Sequence, residues 1–162
     1  MYLEQKLTQE LTRYKGLNFA RRFKQKRKHR YKTAIGIGGN VGDVKRRFEH
    51  LIHFFKKEKR LELLESSNIL KNPPFGYTHQ DDFLNCVIVM QVSMQPMVFL
   101  DYLMRVEKRF GRKRSFANAP RTLDLDILFF DSRVIQKQRL SVPHPHWFER
   151  ESVVIPLSEV CL

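Results

Sequence analysis

Residues 120–128 read Pro-Arg-Thr-Leu-Asp-Leu-Asp-Ile-Leu. Successive side chains of a strand point to opposite faces, so Asp124 and Asp126 share one face while Leu123, Leu125 and Ile127 share the other. The apolar residues around the aspartates predict a central strand with one face in a core. Two carboxylates side by side in such a place repel each other, and leaving them unpaired is costly unless something positive stands between them. Hard divalent cations take oxygen ligands, and Mg²⁺ commonly binds through one or two carboxylates plus substrate phosphates. Arg121, just upstream, has the reach and the planar fork to contact those phosphates. The plainer alternative is a solvated strand face that carries two charges.

Working outward, Arg112, Lys113 and Arg114 begin a basic, polar loop that runs to Ala119 and has the small residues of a mobile lid. Before it, Pro96 opens a helix whose apolar residues are Val98, Leu100, Leu103, Val106 and Phe110, with Gly111 as its stop. Phe83 to Val92, rich in Val, Ile and Phe, reads as a strand. Asn72-Pro73-Pro74-Phe75-Gly76-Tyr77 is a loop, because its prolines exclude a helix. Further back, a strand is expected over 61–70, a helix from Val44 to about Lys59, and a short strand over 33–37. Gly38-Gly39-Asn40-Val41-Gly42 reads as the tight turn between that strand and that helix.

Downstream, Asp131-Ser132 reads as a hairpin turn into Val134-Ile135, and Pro143, Pro145 and Pro156 predict an irregular final stretch. The order strand–helix–strand–strand–helix–strand predicts an α+β fold of the split βαβ kind, with helices packed on one mostly antiparallel sheet.

The N-terminal part reads differently. Leu3, Leu7, Leu11 and Tyr14 recur at helical spacing, which predicts an amphipathic helix over 2–15, followed by a basic linker to Lys32. Residues 1–32 are therefore read as an extension and residues 33–162 as the main domain. Of the net charge of +13, the extension carries +9, from eleven Lys/Arg against Glu4 and Glu10. Such a block points to nucleic acid, an anionic surface or a weakly ordered arm. No apolar run reaches the length of a membrane span, and the N-terminus lacks a signal-peptide pattern. Cys86 and Cys161 make neither a disulfide framework nor a metal cluster, so a cytoplasmic protein is expected.

The glycine stretch fails the nucleotide templates. A dinucleotide fingerprint begun at Gly36 would need glycine where Val41 stands, and a P-loop would need Lys-Ser or Lys-Thr where Asp43-Val44 stands. The basic loop is the better phosphate candidate, and His144 could donate to phosphate or ribose. Asn85 offers both a donor and an acceptor to the edge of a heterocycle, and Phe83 offers a face for stacking, with Asn72, Pro73 and Phe75 on the preceding loop.

Taken together, these stretches resemble the 6-hydroxymethyl-7,8-dihydropterin pyrophosphokinase family of folate biosynthesis. The resemblance rests on Gly36-Ile37-Gly38-Gly39-Asn40 with Gly42-Asp43, Asn72 to Gly76, Phe83-Leu84-Asn85, Glu107 with Gly111-Arg112, Pro120 to Asp126, Val142-Pro143-His144 and Pro156-Leu157. It implies a ferredoxin-like αβα sandwich and transfer of the diphosphoryl group of ATP to the pterin hydroxymethyl oxygen, with release of AMP. By position, it implies that Asp124 and Asp126 hold two Mg²⁺ ions with ATP, and that Arg112, Arg121 and Asp126 are catalytic. It places Glu107, Arg112, Arg114, Arg121, Arg139, Ser141, His144 and Arg150 at ATP, and Asn72, Pro73, Phe75, Phe83 and Asn85 at the pterin. ATP and the pterin are the expected partners, the chain is expected to be a monomer, and membrane and nucleic acid are not expected.

The chain departs from the family at Ser152, where a second pterin-stacking aromatic is usual, and at Asn118, where members carry Trp. Either the pterin stacks on one face only, or Phe148 or Trp147 substitutes for the missing aromatic. The competing readings are a basic RNA-binding module and a non-catalytic relative of the fold. The first does not account for paired aspartates on a core strand.

Overall fold

The computed structural model describes residues 1–113 and 115–162. Its strands are β1 (Leu3–Lys6), β2 (Thr12–Lys15), β3 (Arg21–Arg22), β4 (Tyr31–Gly39), β5 (Leu61–Ser66), β6 (Ile69–Asn72), β7 (Phe83–Val92), β8 (Asp124–Phe130), β9 (Ile135–Lys137) and β10 (Leu140–Val142). Its helices are α1 (Val44–Lys57), α2 (Pro96–Arg109) and α3 (Glu151–Leu157). The central sheet runs β1-β2-β6-β7-β4-β8, with β5 beside β7 as well and β3 beside β5. Every pairing in it is antiparallel. The expected split βαβ order is thus present, β4-α1-β5/β6-β7-α2-β8, in an α+β fold of the ferredoxin-like type.

Helix α1 forms because Asp43 caps it, accepting a hydrogen bond from the Arg46 amide at 3.1 Å, and because Val44, Phe48, Leu51, Ile52 and Phe55 make one apolar stripe. Pro96 starts α2, and Gly111 with φ +83° ends its last turn. Both helices pack on the same face of the sheet, where Ile35, Ile37, Ile88, Leu125 and Ile127 point, but α2 does so through Phe99, Tyr102, Leu103 and Val106, while Val98, expected in its stripe, is exposed and Leu100 and Phe110 are only partly buried. Each such side chain contributes about 1.5–3 kcal/mol when fully buried. The opposite face carries a smaller cluster of Ala34, Val87, Val89, Leu128 and Leu157, on which Val153 and Trp147 pack. Here α3 is the covering element, so the expected irregular end contains a short helix, with Pro156 inside it.

Several expectations are corrected. Residues 2–15 are not a helix but the hairpin β1–β2, paired from Leu3↔Lys15 to Lys6↔Thr12. Edge strand β6 offers an open ladder, and β2 takes it with Arg13 opposite Leu70, so tertiary pairing overrides the helical spacing. Thr8 Oγ1 accepts from the amides of Glu10 and Leu11 and closes the turn. The expected linker contributes β3 along β5, through Arg21↔Ser66 and Arg22↔Glu65. The single strand expected over 61–70 is broken at Ser67-Asn68, where the Ser67 hydroxyl accepts from the Val87 amide at 2.9 Å.

Strand β4 runs through Gly38 and Gly39 and does not turn there. The strand expected after Asp131-Ser132 pairs with β10 in a separate two-stranded sheet and not with β8.

Candidate active site

The two aspartates and Asn85 are brought to one place by register. Gly38 on β4 stands opposite Asn85 on β7 and opposite Asp124 on β8. Two residues earlier, Gly36 stands opposite Val87 and Asp126. Side chains two apart share a face, so Gly36 and Gly38 leave a bare backbone floor between Asn85 on one side and the aspartates on the other. A Cβ on Gly38 would come within 2.7 Å of Asn85 Oδ1, so glycine is what lets Asn85 keep this position. Over this floor lies a cavity of about 120 Å³, walled by Asn72, Phe75, Phe83, Arg121, His144 and Arg150.

Asn85 is oriented by a relay. Asn72 Nδ2 donates to the Pro73 carbonyl at 2.9 Å, which turns Asn72 Oδ1 to accept from Asn85 Nδ2 at 2.7 Å. Asn85 Oδ1 is left over Gly38, free to accept from a ring N–H. Phe83 is nearly buried, and the Arg121 guanidinium lies 5.3 Å from its ring centre. Phe75 is exposed at the rim, with Arg150 at 5.4 Å from its ring. Of the expected substitutes for the aromatic missing at Ser152, Trp147 packs against Phe129 and Phe148 stands exposed beside it. Neither lines the cavity, whereas Ser152 does.

The charged wall is held from behind. Glu107, nearly buried on α2, accepts from the Leu125 amide at 2.8 Å and from Arg112 Nη1 at 3.2 Å. Arg112 also donates to the Leu123 carbonyl and to Asp124 Oδ1, and Arg121 Nη1 donates to Asp124 Oδ2 at 2.9 Å. Asp124 thus has a cation on each oxygen. Asp126 faces the cleft, where solvent reaches it, and its carboxyl is pushed up to about 7. Burial by the surrounding walls comes first among the causes, then the charges of Asp124 and Glu107, opposed by Arg112 and Arg121.

Arg121 Nε is buried with no hydrogen-bond partner among the described residues, a donor suited to an incoming anion. His144 has its pKa lowered by burial, then by Arg150 and His146, so it is neutral at pH 7. Its Nδ1 accepts from the His146 amide at 3.2 Å, which leaves Nε2 to carry the proton.

Not every expected residue reaches this cleft. Asn72, Phe75, Phe83, Asn85, Arg121, Asp124, Asp126, His144 and Arg150 line it, with Arg112 behind Asp124. Glu107 supports the wall from the α2 side, and Pro73 contributes its carbonyl to the Asn72 relay. Arg139 is exposed and pairs with Asp101 at 2.5 Å, and neither it nor Ser141 on β10 lines the cleft. Arg114 lies outside the described residues.

Two residues with no expected role tie the loops together. Asn40 Oδ1 accepts from the Arg121 amide at 2.9 Å, while its Nδ2 donates to Gln80 Oε1 and the Asp81 carbonyl. Gln80 Nε2 in turn donates to the carbonyls of Tyr77 and Asn118. Nothing in the sequence marks either role, because each depends on loops that only the fold brings together.

Residues 34–162 match the family model described as 7,8-dihydro-6-hydroxymethylpterin-pyrophosphokinase. The chain belongs to this family. Its relatives include proteins named 2-amino-4-hydroxy-6-hydroxymethyldihydropteridine pyrophosphokinase from three bacteria. Identity to the Helicobacter pylori protein is 37% over 138 residues, covering 84% of this chain and 85% of that one. The Campylobacter jejuni protein is 40% identical over 134 residues, with 83% and 85% covered. The Bacillus subtilis protein is 34% identical over 127 residues, with 78% and 76% covered. As a member of the pterin pyrophosphokinase family, the chain is an ATP-dependent transferase of folate synthesis. No helix among the described residues is long and apolar enough to cross a membrane.

Proposed function

We propose that the cleft over Gly36 and Gly38 carries the family reaction, with the pterin against Asn85 and Phe83 and the ATP triphosphate against Arg112 and Arg121. The observation that supports this reading most is the shared rung, in which Asn85 and Asp124 flank Gly38. Asn85 and the charged wall thus stand on opposite sides of one bare strip of backbone, which suits a pterin read on one side and a triphosphate held on the other. The pterin hydroxymethyl oxygen attacks the β-phosphorus of ATP and loses its proton. The bond from that phosphorus to the oxygen bridging to the α-phosphate breaks, and AMP leaves with the electron pair. Positioning and neutralisation of charge are what such a transfer asks of a protein.

Arg121 supplies a fixed guanidinium with an unsatisfied Nε to the transferred group, and neutral His144 supplies an N–H to nucleotide. Its stem held by the Asn40 contact to its own amide, Arg121 is placed independently of substrate. Asp126, as the free carboxylate nearest the pterin side, is the group proposed to accept the alcohol proton or to order what does.

The site also fits divalent metal. Asp124 and Asp126 present an all-oxygen donor set on one face, and Asp126 opens onto the cleft with no ion pair among the described residues. We place two Mg²⁺ ions on these carboxylates when ATP is bound, where they would neutralise charge on the triphosphate.

A nucleotide product assay with MgATP and 6-hydroxymethyl-7,8-dihydropterin tests the proposal. Pterin-dependent AMP is the expected product, and Arg121→Ala should lower kcat by about 10²–10³-fold. Formation of ADP in place of AMP, or an Arg121→Ala enzyme of unchanged kcat, would overturn it.

A further inference from the structure

A second cavity, of about 340 Å³, lies between the N-terminal arm, the last turn of α1 and the start of β5. It shares no lining residue with the catalytic cleft, and its arm side precedes residue 34, where the family match begins. Five cations line it, Arg21, Lys24, Lys26, Arg27 and Lys56, against one carboxylate, Glu62, which is engaged by the Lys26 amide at 2.9 Å. None of the five forms an ion pair among the described residues.

Where these cations are hydrogen-bonded, their partners are neutral oxygens. Arg21 donates to the Leu17 carbonyl, Arg27 to the Lys59 carbonyl and Lys56 to Asn18 Oδ1 at 2.8 Å. The Lys56 ammonium is accordingly depressed, first by burial and then by Arg21, with Lys26 adding to it and Glu49 opposing. A concave site with this much unneutralised charge is built for an anion.

The rest of the lining is apolar. Phe55, Leu61 and Leu63 floor the cavity and Phe23 forms a wall, its ring 5.5 Å from the Arg21 guanidinium and 5.3 Å from the Lys56 ammonium. A bare inorganic anion gains nothing from such a floor, whereas a ligand with an aromatic ring beside its phosphate uses both parts. We propose that this cavity binds a nucleoside phosphate, with the heterocycle against Phe23 and the apolar floor and the phosphate among Lys24, Lys26 and Arg27. A free nucleotide and one unit of a single-stranded oligonucleotide share this chemistry.

The test is a ¹⁵N NMR titration of the full chain with uridine monophosphate, inorganic phosphate and a single-stranded uridine octamer. Uridine monophosphate should shift the amides of residues 21–27 and 55–63 saturably, and the variant Lys24→Glu/Lys26→Glu should weaken that binding at least tenfold. AMP formation by the variant should stay at the wild-type level, since neither lysine belongs to the cleft. Inorganic phosphate should bind at least fivefold more weakly than the nucleotide.

An octamer tighter by tenfold or more would mark a nucleic-acid strand as the source, and its log K should fall with log salt by about 0.7 per phosphate held. Equal affinity per site would mark the free nucleotide. Shifts confined to the catalytic cleft, undiminished binding by the charge-reversed variant, or phosphate binding as tightly as uridine monophosphate would each overturn the proposal.

Discussion

Strands β4 and β8 carry two unlike surfaces back to back. On the α1/α2 side stand Ile35, Ile37, Leu125 and Ile127, all buried. On the other side the same strands offer Gly36, Gly38, Asp124 and Asp126, over which the cavity opens. Period-two alternation makes both surfaces from one run of residues. One is closed by two helices and sets stability; the other is bare where the proposed site puts substrate. Changes on the first face should therefore move the melting curve, and changes on the second should move kinetics.

The largest effect expected on the scaffold side is that of Ile37→Ala. It removes a side chain that is 2% exposed from a close-packed core, at a cost of about 2–4 kcal/mol, read as a fall in Tm of roughly 5–15 °C. Its KM for pterin should change little in the protein that remains folded, because the side chain points away from the cleft. A raised KM without loss of Tm would break the division between the faces.

Next comes Gly38→Ala. The nearest obstacle is Asn85 Oδ1 at 2.7 Å, the far end of a side chain, so folding tolerates the methyl while the Asn72–Asn85 relay is displaced. We expect KM for pterin to rise about tenfold, the loss of roughly one well-placed hydrogen bond, with KM for ATP and Tm nearly unchanged. Gly36→Ala gives the smallest effect, under about threefold on either KM. Its Cβ would meet Leu128 at 3.6 Å, ordinary van der Waals contact. Equal effects at Gly36 and Gly38 in steady-state kinetics would show that the floor matters as a whole and not through Asn85.

The Asp124-Leu125-Asp126 pattern and its flanking apolar residues carried the strand, its faces and the cation-seeking pair, because alternation is local information. Helix α1 was legible for the same reason in its stripe, and α2 in Pro96 and Gly111, although Val98, read into the α2 stripe, is exposed where Phe99 and Tyr102 are buried. The glycines were misread as a turn because bare backbone is needed equally in a turn and under a ligand. Only the register with Asn85 and Asp124 separates the two uses.

The hairpin at residues 3–15 escaped because its apolar spacing fits a helix, while what decides it is the open edge of β6, more than fifty residues away. Asn40 and Gln80 were silent for a similar reason. Their work is to join loops that only the folded chain brings together.

The most direct test is the single substitution Asp126→Asn, read by thermal melting and by AMP formation on the same preparation. The folded carboxyl titrates near 7 against an ordinary 3.8, so the folded chain binds more protons than the unfolded one between those values. This group therefore lowers the stability of the ligand-free protein as pH rises from about 4 to 7, and the penalty is complete above that. Solvent access to Asp126 tempers the size, and an uncharged Asn should raise Tm at pH 8 by about 2–4 °C. That rise should come together with a fall in pterin-dependent AMP formation of about 10³-fold or more. AMP formation near the wild-type rate, or a Tm that drops, would contradict it.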